Sequence, residues 1–151
     1  MMAARRVTLE WPGADVAPAP PSGIEGAIRA IHDGFEHGLV AVAGLLRAER
    51  LHLRATDTGG VTVDEVLLGG APLLDEAARF ERGDVERTRS AIDATTGTIC
   101  FTLTRTFELA LGRGRAMIVL ARGPVPGPFT FDERALLRRL VPHLANTWRG
   151  R

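Results

Sequence analysis

The sequence predicts an α+β fold, an antiparallel sheet flanked by helices. Two observations carry the prediction. Residues 51–56 and 99–111 alternate apolar and polar side chains, and each segment turns back through glycines into a second apolar segment, as hairpins do. Near both ends of the chain the apolar residues instead recur at helical spacing, each time behind a capping box. With 151 residues, 45% of them apolar, the chain has the size of one domain and enough core to need no staple.

The elements follow in order. Residues 6–11 alternate briefly and predict an edge strand. Between Pro12 and Pro21 stand four prolines and three alanines, an extended linker, so residues 1–21 read as an arm and 22–151 as the domain. Ser22 with Glu25 three residues on forms a capping box, and Ile24, Ala27, Ile28, Ile31 and Phe35 make one stripe. They predict a helix from Ser22 to about His37. Residues 39–46 are continuously apolar around Gly44. A strand is preferred there over a continued helix, because Gly34, Gly38 and Gly44 each weaken a helix by about 1 kcal/mol.

Leu51, Leu53 and Ala55 alternate with His52, Arg54 and Thr56, a half-buried strand that turns at 57–60 and returns through Val61–Leu68. Gly69-Gly70 breaks the chain. Two short helices are expected next, Pro72–Phe80 and Asp84–Ala94, the second capped by Asp84. A long strand from Ile99, a hairpin at 112–114 and a return strand Ala116–Ala121 follow; the last is apolar on both faces and therefore central. Thr130 and Glu133 then cap a helix lined by Leu136, Leu137, Leu140, Val141, Leu144 and Trp148, with Pro142 expected to kink it.

Composition excludes several function classes. A formal net charge of +1 leaves no basic excess for a nucleic-acid groove. Every cationic side chain is arginine, and a replacement that complete reads as GC-rich coding bias. Cys100 is the only cysteine, so no internal disulfide forms and a reducing, cytoplasmic setting fits. Arg5 and Arg6 are not followed by an apolar run, so no signal peptide is read, and no stretch reaches the ~20 apolar residues of a membrane span.

The stretch from Gly127 to Asn146 (Gly-Pro-Phe-Thr-Phe-Asp-Glu-Arg-Ala-Leu-Leu-Arg-Arg-Leu-Val-Pro-His-Leu-Ala-Asn) resembles the closing helix of GAF-like sensor domains. It is most similar to those of LuxR-type bacterial regulators, and Met117–Arg122 looks like the last strand of that unit. The resemblance covers about a quarter of the chain. It implies a GAF/PAS-like α+β sheet domain with a role in signalling or transcription regulation. The chain stops at Arg151 with no DNA-binding helices after it, so the resemblance implies a sensor without its own output, working through dimerisation or a separate regulatory protein. The element order also fits roadblock-like domains, interaction modules without a ligand pocket.

In GAF-like domains the ligand lies between one sheet face and the helices inserted midway. The resemblance therefore implies a small-molecule site built from Cys100, Thr102 and Thr104, closed by Phe80, Arg87 or Arg89. The competing reading has these threonines facing solvent. The first and last helices of such domains commonly pair between subunits, which implies a homodimer through Leu136, Leu140, Leu144 and Trp148.

No catalytic constellation stands out. His32, Asp33, Glu36 and His37 offer pairs on a helix face but no third metal ligand, and a wet helix surface is the expected role. Cys100 needs a base such as His52 or His143 brought to it before it becomes a nucleophile. Ser22 and Ser90, the only serines, sit in no nucleophile elbow, and Gly112-Arg-Gly114 is a hairpin turn rather than a phosphate loop. No metal and no cofactor are expected. Three functions compete: a small-molecule sensor, a ligand-free interaction module and, third, a small cysteine- or histidine-dependent enzyme.

Overall fold

Alternate side chains along paired strands point to opposite faces of a sheet, and here that alternation separates an apolar face from a polar one. The computed structural model describes residues 4–10, 23–70, 72–74, 80, 83–94 and 96–148. Among them the chain runs β1 (Arg5–Leu9), α1 (Gly23–Asp33), α2 (Phe35–Leu45), β2 (Arg50–Thr56), β3 (Thr62–Leu68), β4 (Glu86–Ile92), β5 (Ile99–Glu108), β6 (Arg115–Arg122) and α3 (Phe131–Thr147). The strands make one sheet in the order β1-β3-β2-β6-β5-β4. This is an α+β fold with β6 central and β1 at an edge, as predicted.

Five expectations are corrected. The sheet is mixed rather than antiparallel, because β1 runs parallel to β3. Parallel neighbours need a long connection, and α1, α2 and β2 supply it. Residues 39–46 are helical, not a strand. The helix expected at 22–37 breaks at Gly34, whose backbone is extended, and restarts as α2. Of the glycines that argued against a helix, Gly38 serves its packing: a Cβ there would strike the Ile31 backbone, so glycine lets α2 cross tightly over α1. Residues 84–94, expected as a helix, hold β4, which pairs antiparallel with β5. Its charges sit at spacings that also suit a helix, and only the distant partner strand decides between the two. The helix expected at 72–80 is absent from 72–74 and 80; its remaining positions, like Ser22 and the linker at 12–21, lie outside the described residues.

All three helices pack on one face of the sheet. Ala27, Ile31, Phe35, Leu39 and Val42 meet Leu51, Leu53, Val66, Leu103, Ile118 and Leu120 in a continuous core that also takes Leu137, Leu140 and Leu144. The capping box of α3 is present in full: the Thr130 hydroxyl accepts from the Glu133 amide, and the Glu133 carboxylate accepts from the Thr130 amide. α3 continues through Pro142.

Glu133 has a second duty. Arg122, at the end of β6 and 1% exposed, donates from both terminal nitrogens to the Glu133 carboxylate at 2.6 and 2.7 Å. The same guanidinium donates to the carbonyls of Leu46, Gly127 and Pro128 and stacks 4.0 Å over the Phe129 ring. A buried arginine is tolerable only when paired and fully hydrogen-bonded, and these acceptors achieve that. Burial alone would raise Glu133, but the Arg122 and Thr130 hydrogen bonds outweigh it and hold the carboxyl at about 2.

Candidate functional site

The face of the sheet turned away from the described helices carries His52, Arg54, Glu65 and the threonines of β5, with Met117, Val119 and Ala121 of β6 among them. The ladder register arranges them in three transverse rows. The first runs Arg6, Glu65, Arg54, Met117, Thr106; the second Thr8, Leu67, His52, Val119, Thr104, Arg87; the third Arg50, Ala121, Thr102, Arg89. Arg6 thus stands on the edge strand β1, Arg87 and Arg89 on the edge strand β4, and Arg50 and Arg54 on the interior strand β2. Apolar β6 positions lie between β2 and the threonines of β5.

The middle of this face is not solvent. His52 is 0% exposed and Arg54 3%, and the connection after β3 crosses over His52. The backbone amides of Leu73 and Leu74 both donate to His52 Nδ1, at 3.1 and 3.2 Å. A nitrogen that accepts two N–H groups carries no proton, so the neutral ring holds its proton on Nε2 and donates it to Glu65 Oε2 at 2.7 Å. Burial, the largest influence, lowers His52 below the usual histidine value despite the Glu65 carboxylate. Burial works to raise Glu65, but the hydrogen bond from His52 and the charges of Arg54 and Arg6 bring it below the usual carboxylate value. The arrangement is a neutral imidazole clamped between a carboxylate and a crossing loop. It fixes a polar platform, with Arg54 and Arg6 at 3.6 and 3.5 Å from the same carboxylate.

The residues expected at a ligand site divide. Arg87 lies opposite Thr104, Arg89 opposite Thr102, and Ala91 opposite Cys100, so five of the six expected residues share the outer face near β4 and β5. Arg89 and Thr102 also border a groove of about 250 Å³, but its other lining residues are Thr88, Ser90, Phe101, Pro128 and Phe129. Ser90 pairs with Phe101 and Phe101 with the buried Arg122, so this groove opens on the helix side of the sheet and not on the outer face. Phe80 lies elsewhere. It borders a cleft of about 570 Å³ at the opposite end of the strands, with Thr56, Asp57, Glu108, Gly114 and Arg115. Phe80 therefore does not close the Arg89–Thr102 groove.

Cys100 receives a contact from an Arg50 terminal nitrogen at 3.6 Å, and that guanidinium also lies 3.7 Å from Asp93. Neither histidine proposed as its base reaches it. His52 is level with Thr104, two strands across and four residues along, or about 10 Å by 13 Å from Cys100. His143 is on α3, on the other side of the sheet, where its ring meets His32. The helical pairing expected for His32 with Glu36 and Asp33 with His37 is interrupted by the break at Gly34. Among the described residues no three His, Cys, Asp or Glu side chains gather as a metal site.

The residues expected at a dimer contact lie in the chain's own core: Leu140 and Leu144 are 0% exposed, Trp148 is buried, and Leu136 packs at the core's margin. Trp148 also donates from its indole to the buried Asp64 carboxylate at 3.2 Å.

Sequence reasoning missed the His52–Glu65–Arg54 cluster. The signal was present: a hairpin turn at 57–60 places Arg54 across from Glu65, and two charges facing each other on strands whose alternate positions are apolar mark a built polar site. A scan against protein-family models finds no match, and a search of curated proteins finds none either. Among the described residues no helix is long and apolar enough to cross a membrane.

Proposed function

We propose that this chain is a cytoplasmic, GAF-like regulatory domain that senses a small molecule on the outer face of its sheet. The observation that carries the reading is the buried polar platform of His52, Glu65 and Arg54, lying under the Leu73–Leu74 crossing on the sheet face that none of the described helices covers. Beside it run the threonines of β5 and the arginines of β4. Small-ligand sites bring a few polar groups together on a largely apolar surface, and this face supplies the polar groups. Response travels through dimerisation or a separate regulatory partner; Glu65 of the platform is the chain neighbour of Asp64, which anchors Trp148 at the end of α3.

The test is native mass spectrometry of the purified protein, followed by denaturing extraction of whatever it carries. The expected result is a small adduct that dissociates on unfolding and whose occupancy falls in Arg89→Ala and Thr102→Val. Adduct retention unchanged in both variants, or a folded protein that carries none and gains no thermal stability from a metabolite library, overturns the reading.

A second reading is favoured by β4. Among the described strands it ends the sheet, and it is exposed at every residue but Glu86, including Ile92 at 74%. A strand with an unpaired edge and so little covering accepts another strand readily. On that reading the domain is a ligand-free interaction module, of roadblock-like or degenerate GAF kind.

A further inference from the structure

Two histidines far apart in sequence meet on the helical side of the molecule. His32 lies in the last turn of α1 and His143 directly after Pro142 in α3, and His32 Nε2 stands 3.0 Å from His143 Nδ1. The rings are edge-on, 88° apart. We propose that they form a two-imidazole site for a divalent transition metal of the copper, nickel and zinc group. The proposal is independent of the ligand reading for the sheet face.

The separation is the first argument. Two nitrogens bound to one metal at about 2.0–2.1 Å, with an angle between square and tetrahedral, stand about 2.9–3.4 Å apart. The observed nitrogens already have that spacing; because they now hydrogen-bond along the line between them, each ring turns about its Cβ–Cγ bond to aim its lone pair at an ion beside that line. The second argument is rigidity. Ile31 and Leu144, the chain neighbours of the two histidines, are 1% and 0% exposed, so the core fixes the backbone on both sides of the site. A site whose ligands are held before metal arrives loses little conformational entropy on binding. The third is access: His32 is exposed and His143 half-exposed, so an ion reaches the pair without unfolding anything.

The chemistry balances simply. In the present pair one facing nitrogen carries a proton and the other accepts it. Metal binding needs both facing nitrogens bare, so the donor ring moves its proton to its outer nitrogen, and neutral imidazoles release no net proton. Imidazole suits copper, nickel and zinc, whereas magnesium and calcium prefer oxygen donors. Among the described residues no third His, Cys, Asp or Glu completes the set, so the remaining positions go to water or a small ligand. The bound ion ties α1 to α3.

Titration of the full-length protein with Cu²⁺, followed by calorimetry, visible absorbance and electron paramagnetic resonance, tests this directly. One equivalent per chain is expected, with hyperfine coupling from two nitrogens and a rise in Tm. His32→Ala and His143→Ala each lose one arm of the chelate, which weakens binding by on the order of a hundredfold. His37→Ala leaves it unchanged. His32→Gln separates a metal role from a merely structural one: glutamine still hydrogen-bonds His143, so apo stability is kept while metal binding falls as in His32→Ala. Equal Cu²⁺ affinity in the wild type and His32→Gln, or no binding by the wild type, overturns the proposal.

Discussion

Arg122 shows how much of this fold hangs on one side chain. Its guanidinium is shared among the end of α2, the loop before α3 and the α3 cap, through Leu46, Gly127, Pro128 and Glu133. Removing its anion leaves a desolvated cation among carbonyls, a change that costs about 3–5 kcal/mol at buried pairs. Glu133→Ala is expected to lower urea stability by at least about 3 kcal/mol, since it also deletes half of a capping box. A loss below about 1 kcal/mol in equilibrium unfolding means that water reaches Arg122 and replaces the carboxylate. The sequence displayed the Thr130–Glu133 capping box openly. It did not display Arg122, because nothing local distinguishes an arginine that ends a strand in the core from one that ends it in solvent.

At the scale of elements, legibility followed locality. β2 with β3 and β5 with β6 are hairpins whose turns and alternation lie within a few residues, and both were readable. α3 was readable from its own cap and stripe. β4 was not: Glu86, Arg87 and Arg89 carry no apolar alternation, and the strand exists because β5 offers it a ladder while Glu86 takes Arg105 at 3.1 Å and Arg138 at 3.5 Å. α2 was misread for a related reason. Glycine counts against a helix by propensity, yet Gly38 is where α1 and α2 come closest, and only a tertiary contact reveals that. Gly38 and Gly44 make the contrast testable, since Gly44 has open space around it. Gly44→Ala is expected to stabilise the protein by a few tenths to about 1 kcal/mol through helix propensity. Gly38→Ala instead forces α2 off α1 and is expected to cost about 1–3 kcal/mol, as overpacked cores do. Thermal unfolding of the two variants decides it; Gly38→Ala matching Gly44→Ala in sign removes the close-crossing explanation for α2.

Over the whole molecule the titratable groups inside the fold predict how it responds to acid. His52 has its folded value lowered, chiefly by burial, and protonation at Nδ1 would put a proton where the Leu73 and Leu74 amides already point. A base harder to protonate folded than unfolded stabilises the fold above its unfolded value of 6.5, and that stability drains away as pH falls below it. Glu65 and Glu133 are lowered carboxylates, so their contribution is whole above 4.5 and is lost as pH falls, for Glu133 toward about 2. Asp64 works the other way: burial raises it despite the Trp148 indole, so it favours the fold only at acid pH and opposes it as pH climbs above 3.8. The expected profile has two descents on acidification, a first beginning near 6.5 and a steeper second below 4.5, softened by Asp64. His52→Gln, whose amide oxygen and nitrogen can face the Leu73 and Leu74 amides and Glu65, should remove the His52 part of the first descent and leave the second. Urea stability measured from pH 8 to 3 in both proteins tests this; a first descent that survives intact in His52→Gln assigns it to other histidines. Because the Leu73–Leu74 crossing is what His52 holds, the same titration should expose that segment before the core opens. Hydrogen exchange at pH 5.5 should therefore show the Leu73 and Leu74 amides losing protection while Leu53 and Ile118 keep theirs.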